Sequence, residues 1–171
     1  MTLAPSRTDT PPHRHGLSPD DLLEVAEGFA RSATTWPGLD EPSERCWRTI
    51  ARTDRFEAWV VAWPVGGAIE LHDHGDSAGA VVVATGRLVE TTLRVDADGR
   101  LVADTAPVGT SGHIVFGRGH IHDIVNEGPG PALSVHVYSP ALSSMTYYER
   151  SPGNGLVPVR TEAYRDGVVV G

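Results

Sequence analysis

A chain of 171 residues is long enough for one domain with a sizeable core and too short for two ordinary ones. Its 14 basic residues, all arginine, stand against 22 Asp and Glu for a net charge of -8, a balance that argues against nucleic acid, whose phosphates need basic clusters. A single cysteine, Cys46, excludes an internal disulfide and suits a reducing compartment, and no apolar run reaches the roughly 18 residues of a membrane span.

Residues 1–16, rich in Pro, Thr, Arg and His, carry no periodicity and read as a flexible lead-in to a single domain over 17–171. The opening Met1 runs into Pro, Arg and Thr instead of an apolar signal segment, so the expectation is a soluble, cytoplasmic protein. Ser18-Pro19-Asp20-Asp21 predicts a helix start: Ser caps, Pro fits the first helical position, and the acids favour the positive end of the dipole. Leu22, Leu23, Val25, Ala26 and Phe29 supply its apolar side. Trp36-Pro37-Gly38 and Glu41-Pro42 punctuate the chain, around a second short helical turn.

From Cys46 the pattern changes to short β-branched and apolar segments. They run over 47–51, 56–63, 80–84, 88–95, 101–103, 114–116, 120–125, 133–138 and 145–148, with Gly-, Pro- and Asp-rich turns between them. Many short strands without interspersed helices predict an all-β sandwich or barrel, with the N-terminal helices packed outside.

Six of the eight histidines fall between positions 72 and 136. On a strand, His72 and His74 leave the same face, and His120 and His122 repeat that spacing. Three imidazoles facing a barrel interior can hold an ion and leave coordination positions open for chemistry. Nitrogen ligands alone are compatible with iron, zinc, nickel or copper. The pair His13 and His15 lacks surroundings that would fix its geometry.

Gly66-x5-His72-x-His74 with Gly86, and Gly119-x2-His122-x3-Asn126, resemble the two cupin motifs. The usual cupin glutamate is absent, since Ala78 and Gly79 stand where it is expected. The segments His72 to Ala80, His122 to Asn126 and Ser134-Val135-His136-Val137-Tyr138-Ser139-Pro140 resemble, in order, those of the cysteine dioxygenase family.

The resemblance implies a double-stranded β-helix (jelly-roll) barrel and an Fe(II) thiol dioxygenase that adds both atoms of O2 to a small carboxylate-bearing thiol. The thiol would be L-cysteine, giving its sulfinate, or 3-mercaptopropionate. It makes His72, His74 and His122 the metal ligands and Ser134, His136 and Tyr138 an outer hydrogen-bond chain, with the Tyr138 hydroxyl facing the substrate. Aligning Phe56–Trp63 with the family's second strand makes Arg48 the carboxylate anchor, with Arg45, Arg52 and Arg55 facing solvent. Arg150, Arg160 or Arg165 would compete for that role if the C-terminal segment folds back. Gly79 occupies the place where animal members carry a cysteine cross-linked to the tyrosine, so Tyr138 is expected to be a free phenol. Trp47, Trp59 and Trp63 read as packing residues, and His120 as a partner of the ligands, a pocket residue or, by a two-residue shift that keeps the strand face, the ligand in place of His122. A cupin using another metal for another reaction, or a non-enzymatic binding cupin, is the competing reading. Quaternary state has no signature in the chain.

Overall fold

The computed structural model describes residues 16–32, 36, 38–39, 41–98, 100–152 and 155–170. Helix α1 (Pro19–Ala30) opens with a capping box: the Asp21 N–H donates to Ser18 Oγ, and the Asp21 carboxylate accepts from the Ser18 backbone N–H. Such a cap is worth about 1 kcal/mol. The expected turn near Trp36 falls partly outside the described residues; those described there form turns and bends. His13, His15 and nearly all of the expected lead-in also lie outside them.

Twelve strands follow: β1 (Cys46–Arg52), β2 (Glu57–Trp63), β3 (Ala68–His72), β4 (Ala78–Thr85), β5 (Arg87–Val95), β6 (Leu101–Gly109), β7 (His113–Phe116), β8 (Ile121–Val125), β9 (Ala132–Ser139), β10 (Ser144–Arg150), β11 (Leu156–Arg165) and β12 (Val168–Val169). Every pairing is antiparallel. They form a five-stranded sheet, β1-β2-β9-β4-β7, and a seven-stranded sheet, β12-β11-β10-β3-β8-β5-β6. The architecture is the expected all-β one, two antiparallel sheets with the N-terminal helix packed outside.

In the five-stranded sheet β2 and β9 are buried at every position. Strands covered on both faces lose the usual alternation, and two clusters do the covering. On one face Leu22 and Ala26 of α1 pack on Ala58, Ala80, Val82, Val135 and Val137. On the other, Trp59, Val61 and Trp63 join Ile69, Leu88, Ile124, Met145 and Tyr147 from the opposite sheet in the barrel interior. Full burial of each of the larger aliphatic side chains contributes about 1.5–3 kcal/mol. The interior cluster forms the walls of the site.

Candidate metal centre

His72 ends β3 and is the register partner of His122 on β8 and of Tyr147 on β10. Register partners share a face, so both imidazoles enter the barrel together. His74 does not continue the strand as the spacing suggested: it sits in the loop after β3 and reaches the same place by a turn. Asp73 fixes that turn. Its Oδ1 accepts from the Gly75 N–H at 3.0 Å and the Thr146 N–H at 3.0 Å, and its Oδ2 from the Tyr148 hydroxyl at 2.6 Å. Burial and that bond to Asp73 push the Tyr148 phenol up to about 12, so it stays a donor. Gly75 suits that turn by its φ of 54°, a conformation in which other residues are strained, and a Cβ would also crowd Ser144.

One potential ligand atom from each of His72, His74 and His122 lies within 4.8 Å of the others, and all three residues are buried. His74 stacks on Phe116, with ring centroids 4.4 Å apart. Nδ1 of His72 donates to the Glu70 carbonyl at 2.8 Å, and Nδ1 of His122 to Glu90 Oε1 at 2.7 Å, which leaves each Nε2 lone pair for an ion. Nδ1 of His74 is buried without a partner among the described residues. Burial, and for His72 and His74 the neighbouring imidazoles, lower all three pKa values. Neutral imidazoles with free lone pairs are what a divalent cation requires, so the donor set fits a metal ion. His120 is not part of this group; it meets Glu90 at 3.1 Å beside His122.

Along β9, Ser134, His136 and Tyr138 form the expected chain, Ser134 Oγ to His136 Nε2 at 2.8 Å and His136 Nδ1 to Tyr138 Oη at 3.2 Å. Trp63, expected to be packing alone, adds a third bond: its Nε1 donates to Ser134 Oγ at 2.8 Å. This bond gives the chain a direction. An indole N–H only donates, and the buried Ser134 hydroxyl has His136 Nε2 as its acceptor. Burial holds His136 down to about 3, so the ring carries one proton, on Nδ1, and gives it to the Tyr138 oxygen. The Tyr138 O–H is thereby free to donate into the cavity, and burial raises its pKa so that it keeps the proton.

A cavity of about 20 Å³ lies at the centre, walled by Arg45, Trp47, Trp59, Val61, Trp63, Ile69, His72, Ile124, His136, Tyr138, Met145 and Tyr164. That is room for about one water. Among the described residues the walls hold no carboxylate, and their guanidinium is Arg45, not Arg48. Trp47 pairs with Val61 on the inner face, so the next residue, Arg48, pairs with Val60 on the outer face and is exposed. The expectation at Arg48 is therefore corrected by one step of strand alternation. Arg45, two before Trp47, returns to the inner side, with its guanidinium 5.3 Å from the Trp47 ring centroid and 5.6 Å from that of Trp63. It makes no ion pair with a described carboxylate. Arg52 bridges Glu57 and Asp166, Arg55 is exposed as expected, and Arg160 binds Glu70 over the Tyr147 ring. Arg150 and Arg165 are exposed, and none of the three C-terminal arginines lines the cavity.

The sequence pattern of the family described as cysteine dioxygenase type I matches residues 17–151. The chain belongs to that family. Membership supports a thiol dioxygenase of the cupin type. Among solved structures, the chain is similar to the cupin domain of Cnp3 from Schizosaccharomyces pombe at 17% identity and a TM-score of 0.46, over 54% of this chain and 59% of that one. It thus spans less than two thirds of that chain. TT1209 from Thermus thermophilus aligns at 22% identity and a TM-score of 0.47, over 60% of this chain and 89% of that one. An uncharacterized protein with a double-stranded β-helix domain from Klebsiella pneumoniae aligns at 17% and 0.46, over 70% and 88%.

Gly79 is the position at which the resemblance predicted no cross-linking cysteine. Here it faces Tyr138 as its register partner on β4. A Cβ at Gly79 would come within 2.4 Å of the Phe116 ring, which fills the space a cysteine side chain would need. Cys46 lies half-buried at the start of β1, packed against Leu39, Val60, Ala62 and Leu133. No described helix is long and apolar enough to cross a membrane.

Proposed function

We propose that this protein is an Fe(II)-dependent dioxygenase acting in the cytoplasm on a small thiol that carries a carboxylate, with L-cysteine and its sulfinate as substrate and product. The observation that carries the reading is the convergence on one cavity of a ligand-capable imidazole (His72), a directed phenol donor (Tyr138) and a guanidinium (Arg45) that no described carboxylate pairs. His72, His74 and His122 would hold the iron, which supplies the redox chemistry of adding O2 to sulfur. Overall, RSH and O2 become a sulfinate and a proton, with both oxygen atoms on sulfur.

The chain's own residues orient and shield. Arg45 binds the carboxylate with its planar fork, and its place over two indoles aims it at the cavity. Tyr138 donates its O–H to an acceptor at the reacting end, held in place by the chain from Trp63 through Ser134 and His136. The tryptophans exclude water, and at about 20 Å³ the cavity admits a thiol only as its lining moves apart. With no carboxylate in the walls, the amine of cysteine has only the ion to bind; 3-mercaptopropionate has no amine to satisfy and is the alternative substrate.

The test is oxygen uptake by iron-loaded protein with cysteine, 3-mercaptopropionate and cysteamine, with sulfinate identified by mass. Uptake with the carboxylate thiols and little with cysteamine is expected. No uptake with any small thiol, or restoration by zinc or manganese in place of iron, would overturn the assignment in favour of another metal-dependent cupin reaction. Activity that survives removal of the metal would favour a metal-independent role.

A further inference from the structure

Beside the three histidines stands a second group of ligand-type side chains, Glu90, His120 and His122, whose potential ligand atoms also lie within 4.8 Å of one another. Glu90 is on β5 and pairs with Ile124, whose side chain lines the cavity, so the carboxylate points into the barrel interior. Its side chain is only 12% exposed. A carboxylate placed so deep needs strong partners, and its Oε1 has two: His122 Nδ1 at 2.7 Å and His120 Nε2 at 3.1 Å. His120 is itself held by stacking on Phe116, with ring centroids 5.1 Å apart and planes 13° from parallel.

Two roles are open to such a group, a second ion site or a brace for the first. The shared residue decides between them. His122 has two ring nitrogens. If Nε2 serves the ion shared with His72 and His74, Nδ1 carries the remaining proton, and at 2.7 Å that proton lies on the line to Glu90 Oε1. A second ion between Nδ1 and Glu90 would have to expel it and leave an imidazolate. The three histidines differ in what supports them: His72 leans on a backbone carbonyl, His74 has no Nδ1 partner among the described residues, and His122 has a carboxylate.

We infer that Glu90 is a positioning residue for the metal, fixing the His122 ring and raising its basicity, and that His120 holds the Glu90 carboxylate in line. This rests on the reading that His72, His74 and His122 bind one ion. A charged acceptor on the far nitrogen makes an imidazole a better ligand, and loss of such a partner costs about 10- to 100-fold in metal affinity. Glu90→Gln keeps an acceptor and the shape but removes the charge. Glu90→Ala removes both, and His120→Gln removes only the clamp on the carboxylate.

The experiment measures Co(II) and Fe(II) stoichiometry by elemental analysis, affinity by competition with a chromophoric chelator, and the visible absorption of the Co(II) protein. Wild type should bind one ion per chain. Glu90→Ala should weaken binding by about 10- to 100-fold, Glu90→Gln by less, and His120→Gln least, with the Co(II) spectrum shifted in the same order. Circular dichroism and thermal melts confirm that each variant is folded, and Glu90→Gln carries the test if Glu90→Ala is not. Unchanged affinity and spectrum in Glu90→Gln and Glu90→Ala overturn the brace while leaving the three-histidine site intact. Two ions per chain in the wild type, with one lost in Glu90→Ala and His120→Gln, overturn it in favour of a second metal site. A wild type that binds no ion removes the three-histidine reading and this inference together.

Discussion

Replacing Arg45 separates the structural reading of the anchor from the sequence reading, because Arg45 and Arg48 are three residues apart and face opposite sides of the sheet edge. The Arg45 guanidinium lines the cavity, lies over two indole rings and pairs with no described carboxylate, so its charge is available to a ligand. A charge-assisted bond of this kind contributes about 1.5–3 kcal/mol, and a substrate carboxylate left buried without it adds a desolvation cost. At about 1.4 kcal/mol per decade, Arg45→Ala should raise KM for cysteine or 3-mercaptopropionate by about 10- to 100-fold. Arg45→Lys should recover little, since an ammonium lacks the fork and the stacking surface. Arg48→Ala removes an exposed side chain from the outer face and should change kcat/KM by no more than about twofold, within the roughly 0.5 kcal/mol typical of surface changes. Steady-state oxygen uptake measures all three. Cysteamine, which has no carboxylate, is the internal control, and its weak turnover should be indifferent to Arg45. A loss in Arg48→Ala that Arg45→Ala does not share would refute the reasoning and return the anchor to β1.

Trp63→Phe removes the donor that directs the Ser134–His136–Tyr138 chain. The expected result is a fall of about tenfold in kcat with KM nearly unchanged, at a stability cost of about 1 kcal/mol in urea melts. A change in KM alone would tell against the directed chain. Gly79→Ala should destabilise the fold by about 1–3 kcal/mol by overpacking, and Phe116→Leu in the same chain should relieve part of it. Equal melting temperatures for Gly79→Ala and wild type would contradict the contact. Acid should weaken the metal-free protein through His136, whose pKa is held at about 3 against an ordinary 6.5. Between those values the unfolded chain binds a proton that the folded chain refuses, so stability is full above pH 6.5 and is lost toward pH 3. The slope is about 1.4 kcal/mol per pH unit for this one group, and His72, His74 and His122 shift in the same direction. Urea melts at pH 7.5, 6.5 and 5.5 measure it, and a flat profile would mean that these rings take up protons in the folded state.

Much of the barrel was legible because strand residues in this chain are β-branched and their turns are Gly- and Pro-rich. Nine expected segments correspond to β1, β2, β4–β10, eight with shifts of one or two residues at their ends, while β6 runs six residues past its expected 101–103. What escaped was β3, β11 and β12. Strand β3 spells Ala-Ile-Glu-Leu-His, too short and too mixed to stand out, and is held by its neighbours β8 and β10 more than by its own propensity. Strand β11 is mostly exposed, so it lacks an apolar pattern, and it contains Pro158, a residue disfavoured inside sheets; its register shift beside Tyr147 and Tyr148 accommodates that residue.

The site was legible to a different depth at each residue, and the difference lies in how the chain places it. Ser134, His136 and Tyr138 sit on one uninterrupted strand, where a spacing of two is enough to align them. His72 and His74 share that spacing, but the strand ends between them, and Asp73 and Gly75 bring His74 inward by a turn. The two rings come together there by that turn and not by strand spacing. Arg48 shows the converse. The motif order was right, yet on a strand one residue reverses the face, and the register of β1 against β2 puts Trp47 inside and Arg48 outside. A signal was present: Trp59, Val61 and Trp63 mark the inner parity of β2, and pairing β1 to it puts Trp47 and Thr49 inside, with Arg45 two residues before Trp47 and just ahead of the strand. Sequence alone did not supply the pairing that connects those parities. Register is therefore what turns a list of residue types into a cavity lined by one guanidinium, one directed phenol and two neutral imidazoles, His72 and His136, and it is why Arg45, with no motif to recommend it, is the arginine to mutate first.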